Sequence, residues 1–164
     1  MTSAVTPEVG EVMIFGAEGF ARVEGIGEKE ILGRTLVVLD LFVFDSTMRV
    51  SVPIERALER GLRPVSPADE IESALEGLQS QRYTSIAWNR DGRLVKERYA
   101  EGDLGAVLDT LGSLMEVAAV KKLNDAQRNL MDRARRMLVL ETAASFGIEE
   151  DEAAERVDGV ISPV

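Results

Sequence analysis

The chain has 164 residues, a formal net charge of −10 from 29 Asp/Glu against 19 Lys/Arg, and neither cysteine nor histidine. Without these two residue types it has no disulfide, no thiolate nucleophile, no Ser-His or Cys-His pair and no imidazole ligand, so we expect no catalytic residue, no cofactor and no metal site. It also lacks an apolar run of about 20 residues and a signal-peptide pattern at its start, so we expect a cytoplasmic protein with no membrane partner.

The N-terminal part has the short alternating runs and Gly-rich turns of β-structure. We predict strands at Val12–Phe15, Phe20–Ile26, Glu28–Leu32, Thr35–Phe44 and Thr47–Val52. Gly25 and Gly27 indicate a bend or a bulge, and Gly33 indicates a hairpin tip. Pro53 ends the last strand because proline donates no ladder hydrogen bond. The alternation of the second strand makes three side chains available to a core: Phe20, Val23 and Ile26. Short strands joined in this way predict a small antiparallel β-barrel.

After Pro53 the apolar period changes to that of helices. A short helix is predicted at Ile54–Arg60, followed by an extended Leu62–Val65. Ser66 and Pro67 then have the chemistry of an N-cap and a first helical position. We therefore place a domain boundary here, with a strand-rich domain at residues 1–65 and a helical domain at residues 66–164.

Four more helices are predicted in the second domain, which makes the chain an α+β protein with an all-α C-terminal bundle. They cover about Ser85–Ala100, Asp103–Lys121, Asn124–Gly147 and Ile148–Val157. Asn124 and Gln127 have the spacing of a capping box, and Gly147 is a helix stop.

Trp88, the only tryptophan, begins the one basic stretch of this acidic chain. Residues 82–136 hold eleven Lys/Arg against eight Asp/Glu, a local charge of +3. An aromatic ring beside Arg90, Arg93 and Lys96 is what a minor-groove or single-strand reader needs, because the cations hold phosphates and the ring stacks on a base. The alternative interpretation is that Trp88 anchors helix packing.

Arg49 points away from the apolar face of the strand that ends at Pro53. An exposed strand of this kind can accept a partner strand at its edge, and the alternative is a solvated arginine on a protected edge. Lys29, on a Glu-flanked hairpin arm, is expected to be exposed in either case.

Several motifs, in order along the chain, resemble the bacterial CarD/CdnL family and the polymerase-interacting domain that it shares with transcription–repair coupling factors. The motifs are Gly19-Phe20-Ala21-Arg22-Val23-Glu24-Gly25-Ile26, Val50-Ser51-Val52-Pro53, Gly61-Leu62-Arg63-Pro64-Val65, Trp88-Asn89-Arg90, Glu101-Gly102-Asp103 and Ala134-Arg135-Arg136-Met137-Leu138. The resemblance implies a Tudor/SH3-like barrel followed by a helical bundle.

The resemblance also implies partners. Family members bind the β subunit of RNA polymerase and promoter DNA near the −10 element, where a tryptophan matching Trp88 wedges at the upstream edge of the bubble. Phosphate contacts match Arg90, Arg93 and Arg128, and a polymerase contact on the barrel matches Lys29. A second family arginine falls on Ser51, with Arg49 on the same strand. Asp91 replaces another family arginine, which predicts weaker DNA affinity because fewer phosphates are neutralised.

The first hypothesis is a non-enzymatic, monomeric transcription regulator that stabilises the open promoter complex and reaches the nucleoid through RNA polymerase. Its DNA contacts are Trp88, Arg90, Arg93, Lys96 and Arg128, and its polymerase contacts are Lys29, Arg49, Val50, Ser51, Val52 and Pro53. The second hypothesis is a protein–protein adaptor whose helical half binds a protein in place of DNA. An enzyme is the third, and it has no nucleophile–base pair to support it.

Overall fold

The computed structural model describes residues 7–81 and 92–161. The chain divides into two compact units, Met1–Val65 and Ser66–Val164. In the described residues the first unit holds the strands, a 3-10 turn at Gly16–Glu18 and one short α-helix, and the second holds five α-helices. The α+β class expected from the sequence is confirmed.

The first unit is a five-stranded antiparallel sheet with the order β4-β3-β2-β1-β5. Its elements are β1 (Val12–Phe15), β2 (Phe20–Ile31), β3 (Arg34–Val43), β4 (Met48–Pro53), helix α1 (Ile54–Glu59) and β5 (Leu62–Arg63). The two strands predicted between residues 20 and 32 are one long strand, β2. It forms a hairpin with β3 that turns at Leu32 and Gly33, both with positive φ.

The prediction of a closed barrel is wrong for residues 7–65. β4 pairs with β3 and β5 pairs with β1, and no ladder between β4 and β5 completes a ring in this part of the chain. The two-residue β5 pairs only with β1 and forms the opposite edge of the described sheet, and α1 packs against β3, β4 and β5. β4 is therefore an edge strand.

One face of the sheet carries the core of this unit. Its buried members are Met13, Phe15, Ala21, Val23, Leu39, Leu41, Val43, Val52, Ala57 and Leu62. Val23 is fully buried as predicted, whereas Ile26 is 41 % exposed. The predicted bulge is present as a register shift between Val23 and Gly25. β2 beyond it is exposed, because the hairpin extends past the part of the sheet that the core covers.

Gly16 joins the end of β1 to the turn after α1. Its N–H donates to the Gly61 carbonyl at 3.0 Å, and its φ is +52°. A Cβ at this position would lie 2.2 Å from the Arg60 carbonyl oxygen. Only glycine fits here, because any side chain would collide with rigid backbone in a left-handed conformation.

The second unit is a helical bundle. Its helices are α2 (Ala68–Gln79), α3 (Arg93–Ala100), α4 (Leu104–Val120), α5 (Asp125–Phe146) and α6 (Glu150–Ile161). α4 is the central helix: it packs against α2, α3 and α5, and most of its first eleven residues are buried. α6 covers α2 and α5.

The ends of α5 and α2 can be compared with the predicted capping residues. The capping box of α5 is confirmed, because Asn124 Oδ1 accepts from the Gln127 N–H at 2.8 Å and Gln127 Oε1 accepts from the Asn124 N–H at 2.9 Å. Gly147 ends α5 in the left-handed conformation, as predicted. At α2 the N-cap is Pro67, one residue later than the predicted Ser66.

The helix predicted from Ser85 to Ala100 begins later in the described residues. Gly92 is left-handed, with φ 67° and ψ 15°, so α3 starts at Arg93. A regular helix cannot continue through a residue with that φ. Residues 85–91 of the predicted helix lie outside the described residues.

Candidate functional site

An aromatic ring and two arginines form one row on the outer face of the N-terminal sheet. Arg22 of β2 lies opposite Phe42 of β3, which lies opposite Arg49 of β4. The guanidinium carbons of Arg22 and Arg49 are 5.6 and 5.2 Å from the Phe42 ring centroid. Phe44 contacts Phe42 edge to face at 5.5 Å. Cation–π contacts therefore hold both arginines against the sheet.

Glu24, at the bulge of β2, joins the same two arginines. Its Oε1 accepts from Arg22 Nη2 and its Oε2 from Arg49 Nε, each at 3.3 Å. Partial burial raises the pKa of Glu24, but the hydrogen bonds and charges of the two arginines outweigh burial and hold the pKa below its usual value. Glu24 is thus an anion with its countercharges in place.

A groove of about 290 Å³ lies beside this row, lined by Glu24, Asp40, Leu41, Arg49, Val50 and Ser51. Asp40 on β3 lies opposite Ser51 on β4, and the Ser51 hydroxyl donates to Asp40 Oδ1. On the other side Asp40 lies opposite Gly25, where a Cβ would be 3.0 Å from Asp40 Oδ2. The missing side chain of Gly25 leaves room for this carboxylate.

The predicted polymerase contacts fall into accessible and inaccessible positions. Lys29 is exposed on the hairpin arm, and the Arg49 side chain is 73 % exposed. Ser51 is exposed, and Val50 and Pro53 are half-buried. Lys29 lies opposite Leu36, well along the hairpin from the pairs that hold Arg49.

Val52 needs a correction, because its side chain is 6 % exposed and belongs to the core. The reason is the period of two: β4 turns Val52 inward while Ser51 and Pro53 alternate outward. A partner could contact Val52 only through the backbone of the β4 edge.

The predicted DNA contacts of the helical unit lie on two helices. Arg93 and Lys96 are exposed on α3, and Arg128 is exposed in the first turn of α5. Arg93 Nε lies 3.9 Å from Glu97 Oε1, and Arg128 bonds the Leu123 carbonyl at 2.8 Å and the Asp125 carboxylate. Trp88 and Arg90 lie outside the described residues.

Arg133 on α5 is a cation that sequence reasoning missed. Its guanidinium carbon lies 5.4 Å from the ring centroid of Tyr99, a buried residue of α3. Its neighbours Arg135 and Arg136 form ion pairs with Asp158 and Glu150. Arg133 has no such carboxylate partner within the described residues, so it adds an accessible cation where α5 meets α3. The basic run 133–136 was the available signal, but it does not distinguish the three arginines.

Arg98 on α3 has a structural role. Its Nε donates to Asp109 at 2.9 Å and its Nη1 to Asp103, the N-cap of α4, at 3.2 Å, with Glu101 as a third partner. Burial lowers the pKa of Arg98, but these hydrogen bonds outweigh it and raise the pKa above its ordinary value. Gly105 makes room, since a Cβ there would lie 2.8 Å from Arg98 Nη2. Arg98 therefore fixes α3 to the start of α4.

Within residues 7–81 and 92–161, no group of three or more Asp and Glu residues is arranged to hold a metal ion. No helix in the same ranges combines the length and the apolar character needed to cross a membrane.

Comparison with known proteins matches the helical part of this chain to a family model. Residues 73–158 match the family described as "CarD, C-terminal domain". The chain is also 22 % identical over 144 residues to the "Putative transcription factor YdeB" of Bacillus subtilis (strain 168), covering 87 % of this chain and 94 % of that protein. These matches define a transcription regulator, and the protein belongs to the CarD/CdnL family.

Proposed function

We propose that the protein binds the β subunit of RNA polymerase through its N-terminal unit and promoter DNA near the −10 element through its helical unit. Trp88 enters the upstream edge of the melted region and stabilises the open complex. The observation that supports this most strongly is the CarD match over residues 73–158, which spans Trp88 and all the candidate DNA cations.

The N-terminal unit offers a suitable protein-binding edge. β4 is unpaired on its outer side within the described sheet, and Arg49 and Ser51 are exposed beside it. An exposed edge strand supplies main-chain donors and acceptors, while the neighbouring side chains supply specificity. Lys29 extends this surface along the hairpin arm.

The helical unit offers exposed cations whose present partners are weak competitors. The Arg93–Glu97 and Arg128–Asp125 pairs are local, exposed ion pairs of one helix turn, and such pairs contribute at most about 1 kcal/mol. Exchange of these carboxylates for DNA phosphates therefore costs little. Arg133 adds a further cation on the same helix as Arg128.

Tethering reconciles DNA binding with a net charge of −10. A unit held on polymerase presents the helical unit at high effective concentration, so its own affinity for DNA can be low. Contacts made only with the melted junction shift the closed–open equilibrium toward the open complex. A monomer suffices, and the protein reaches the nucleoid with polymerase.

The lifetime of open complexes tests this function. Trp88→Ala should shorten the lifetime by about tenfold, because a stacking aromatic contributes roughly 1–3 kcal/mol per base. Trp88→Phe, which keeps an aromatic ring, should retain part of the effect. Polymerase binding by both variants is the control, and an unchanged lifetime with Trp88→Ala would show that Trp88 is not a wedge.

A second function, a protein–protein adaptor, is favoured by one observation. Arg93 and Arg128 both have carboxylate neighbours on their own helices, as a surface not built for phosphates would. Footprinting of a polymerase–promoter complex separates the two functions. Protection at the upstream edge of the bubble supports the regulator, and polymerase binding without added protection supports the adaptor.

A further inference from the structure

The groove beside β4 contains one carboxylate without a countercharge. Ser51 is the only polar partner of Asp40 among the described residues, and that partner is neutral. Glu24, the other acid of the groove, is already paired with Arg22 and Arg49. Asp40 is exposed, and among the described residues it is the acid of the groove whose charge remains available to a partner.

The size and position of the groove indicate which kind of group can enter it and pair with Asp40. Its volume of about 290 Å³ is at the lower limit of ligand pockets, which span roughly 300–1,000 Å³. It opens beside an edge strand, where a protein partner would approach. A single side chain of that partner is the occupant that matches both facts.

The geometry points to an arginine side chain from a partner protein as that occupant. Asp40 Oδ1 uses one lone pair for the Ser51 hydroxyl, which leaves acceptor sites on both carboxylate oxygens. A planar guanidinium fork bonds two carboxylate oxygens at once and is less strongly hydrated than an ammonium group, so arginine fits better than lysine. Only the identity of the partner rests on the proposed function, under which the arginine belongs to the polymerase β subunit.

In this arrangement the arginine comes from the partner protein, whereas the family resemblance predicts that the regulator supplies it at the position of Ser51. The family resemblance places an arginine of the regulator at this position, whereas here a serine and an aspartate accept an arginine from the other side. Arg49 does not replace the missing arginine inside the groove, because Phe42 and Glu24 hold its guanidinium.

The first experiment needs no polymerase. Full-length protein labelled with ¹⁵N is titrated with N-acetyl-arginine methylamide, and the neutral glutamine analogue is the control probe. Amide shifts at Gly25, Asp40 and Ser51 with the arginine probe alone, lost in Asp40→Asn, are the expected result. Shifts that persist in Asp40→Asn, or that are equal for the glutamine analogue, or no shifts at all, overturn the inference.

The second experiment measures affinity for the polymerase β subunit. Asp40→Asn keeps the size of the side chain and should weaken binding about fivefold, the effect of one exposed charge pair. Ser51→Arg should also weaken binding, because the new side chain occupies the groove and pairs with Asp40. Tighter binding by Ser51→Arg would restore the family arrangement and overturn the inference. Thermal melts of both variants verify folding.

The two experiments separate this inference from the proposed function. If the wild-type protein binds the arginine probe but not the β subunit, the arginine site in the groove is retained and the polymerase partner is rejected. If the Asp40→Asn variant binds the β subunit as tightly as the wild type does, the polymerase partner is retained and the role of the groove is rejected.

Discussion

The backbone N–H of Ser66 donates to Glu141 Oε2 at 2.9 Å, across 75 residues of sequence. Ser145, one turn further along α5, donates its hydroxyl to the Ser66 carbonyl at 2.7 Å. The backbone N–H and C=O of Ser66 are thus both bound by side chains of α5. Glu141 is 1 % exposed, so the first residue of the helical unit is fixed by a buried carboxylate.

Glu141→Ala should therefore destabilise the helical unit by about 2–4 kcal/mol, because it removes a buried carboxylate that accepts from the Ser66 N–H and opens a cavity. Chemical denaturation monitored by circular dichroism measures the loss. Glu155→Ala, an exposed acid on α6, is the matched control and should change the free energy of unfolding by less than about 0.5 kcal/mol. Equal effects would mean that Glu141 does not anchor Ser66.

Gly16→Ala should destabilise the N-terminal unit much more than Gly33→Ala. Both glycines have positive φ, so both variants lose about 1–2 kcal/mol to backbone strain. A Cβ at position 33 meets nothing within 4 Å, whereas at position 16 it collides with the Arg60 carbonyl. We expect a difference of at least about 2 kcal/mol in the free energy of unfolding. Similar values for the two variants would contradict the close approach of Gly16 to Arg60.

Asp158 and Arg135 join α6 to α5 through two hydrogen bonds, Nε–Oδ1 at 2.6 Å and Nη2–Oδ2 at 2.8 Å. The hydrogen bonds from Arg135 lower the pKa of Asp158 below its ordinary 3.8, although burial opposes them. The stability from this pair is present above that ordinary value and is lost as the pH falls through the lower pKa of the folded state.

Unfolding by denaturant from pH 6 to about pH 2 measures this pH dependence. Asp158→Asn should be less stable than the wild type near pH 6, by no more than about 1 kcal/mol because both side chains are partly exposed. The two proteins should converge in acid. A constant difference across the range would show that Asp158 has the same pKa in both states.

Asp125→Asn should tighten DNA binding under the proposed function, because it removes the carboxylate that holds Arg128. The expected gain is about two- to fivefold in affinity for a promoter fragment, measured by fluorescence anisotropy at fixed salt. Glu155→Gln removes one exposed negative charge from another helix, α6, and controls for general electrostatics. Equal gains from the two variants would show that Arg128 does not contact phosphate.

Local features of this protein were readable from the sequence. The capping box of Asn124 and Gln127, the stop at Gly147 and the turn at Gly33 each depend on residues no more than a few positions apart. Their energies are decided by the backbone geometry that nearby side chains favour, so short patterns are enough. The start of α3 was misplaced because the left-handed Gly92 was not recognised as a helix boundary.

Which candidate site residues are accessible, and which of them face one another, depends more on strand register than on residue type. The alternation of β4 correctly predicted that Arg49 points outward. The same alternation makes Val52 a core residue, so only the backbone of Val52 is accessible at the edge. The bulge after Val23 decides that Gly25 lies opposite Asp40, and this pairing forms the groove. No short pattern in β2 or β3 indicates which residue of β3 lies opposite Gly25.

The sequence by itself determined the change from strands to helices near residue 65, most of the individual elements and the family, because these follow from periodicity and from motifs that are contiguous in the chain. Only the tertiary structure decided, for the residues that it describes, that no ladder closes the sheet, that Glu141 binds Ser66 and that Asp40 has no charged partner. Each of these depends on contacts between residues 11 to 75 positions apart. Such contacts are fixed by strand register and helix packing, which form when the chain closes on its core and not before.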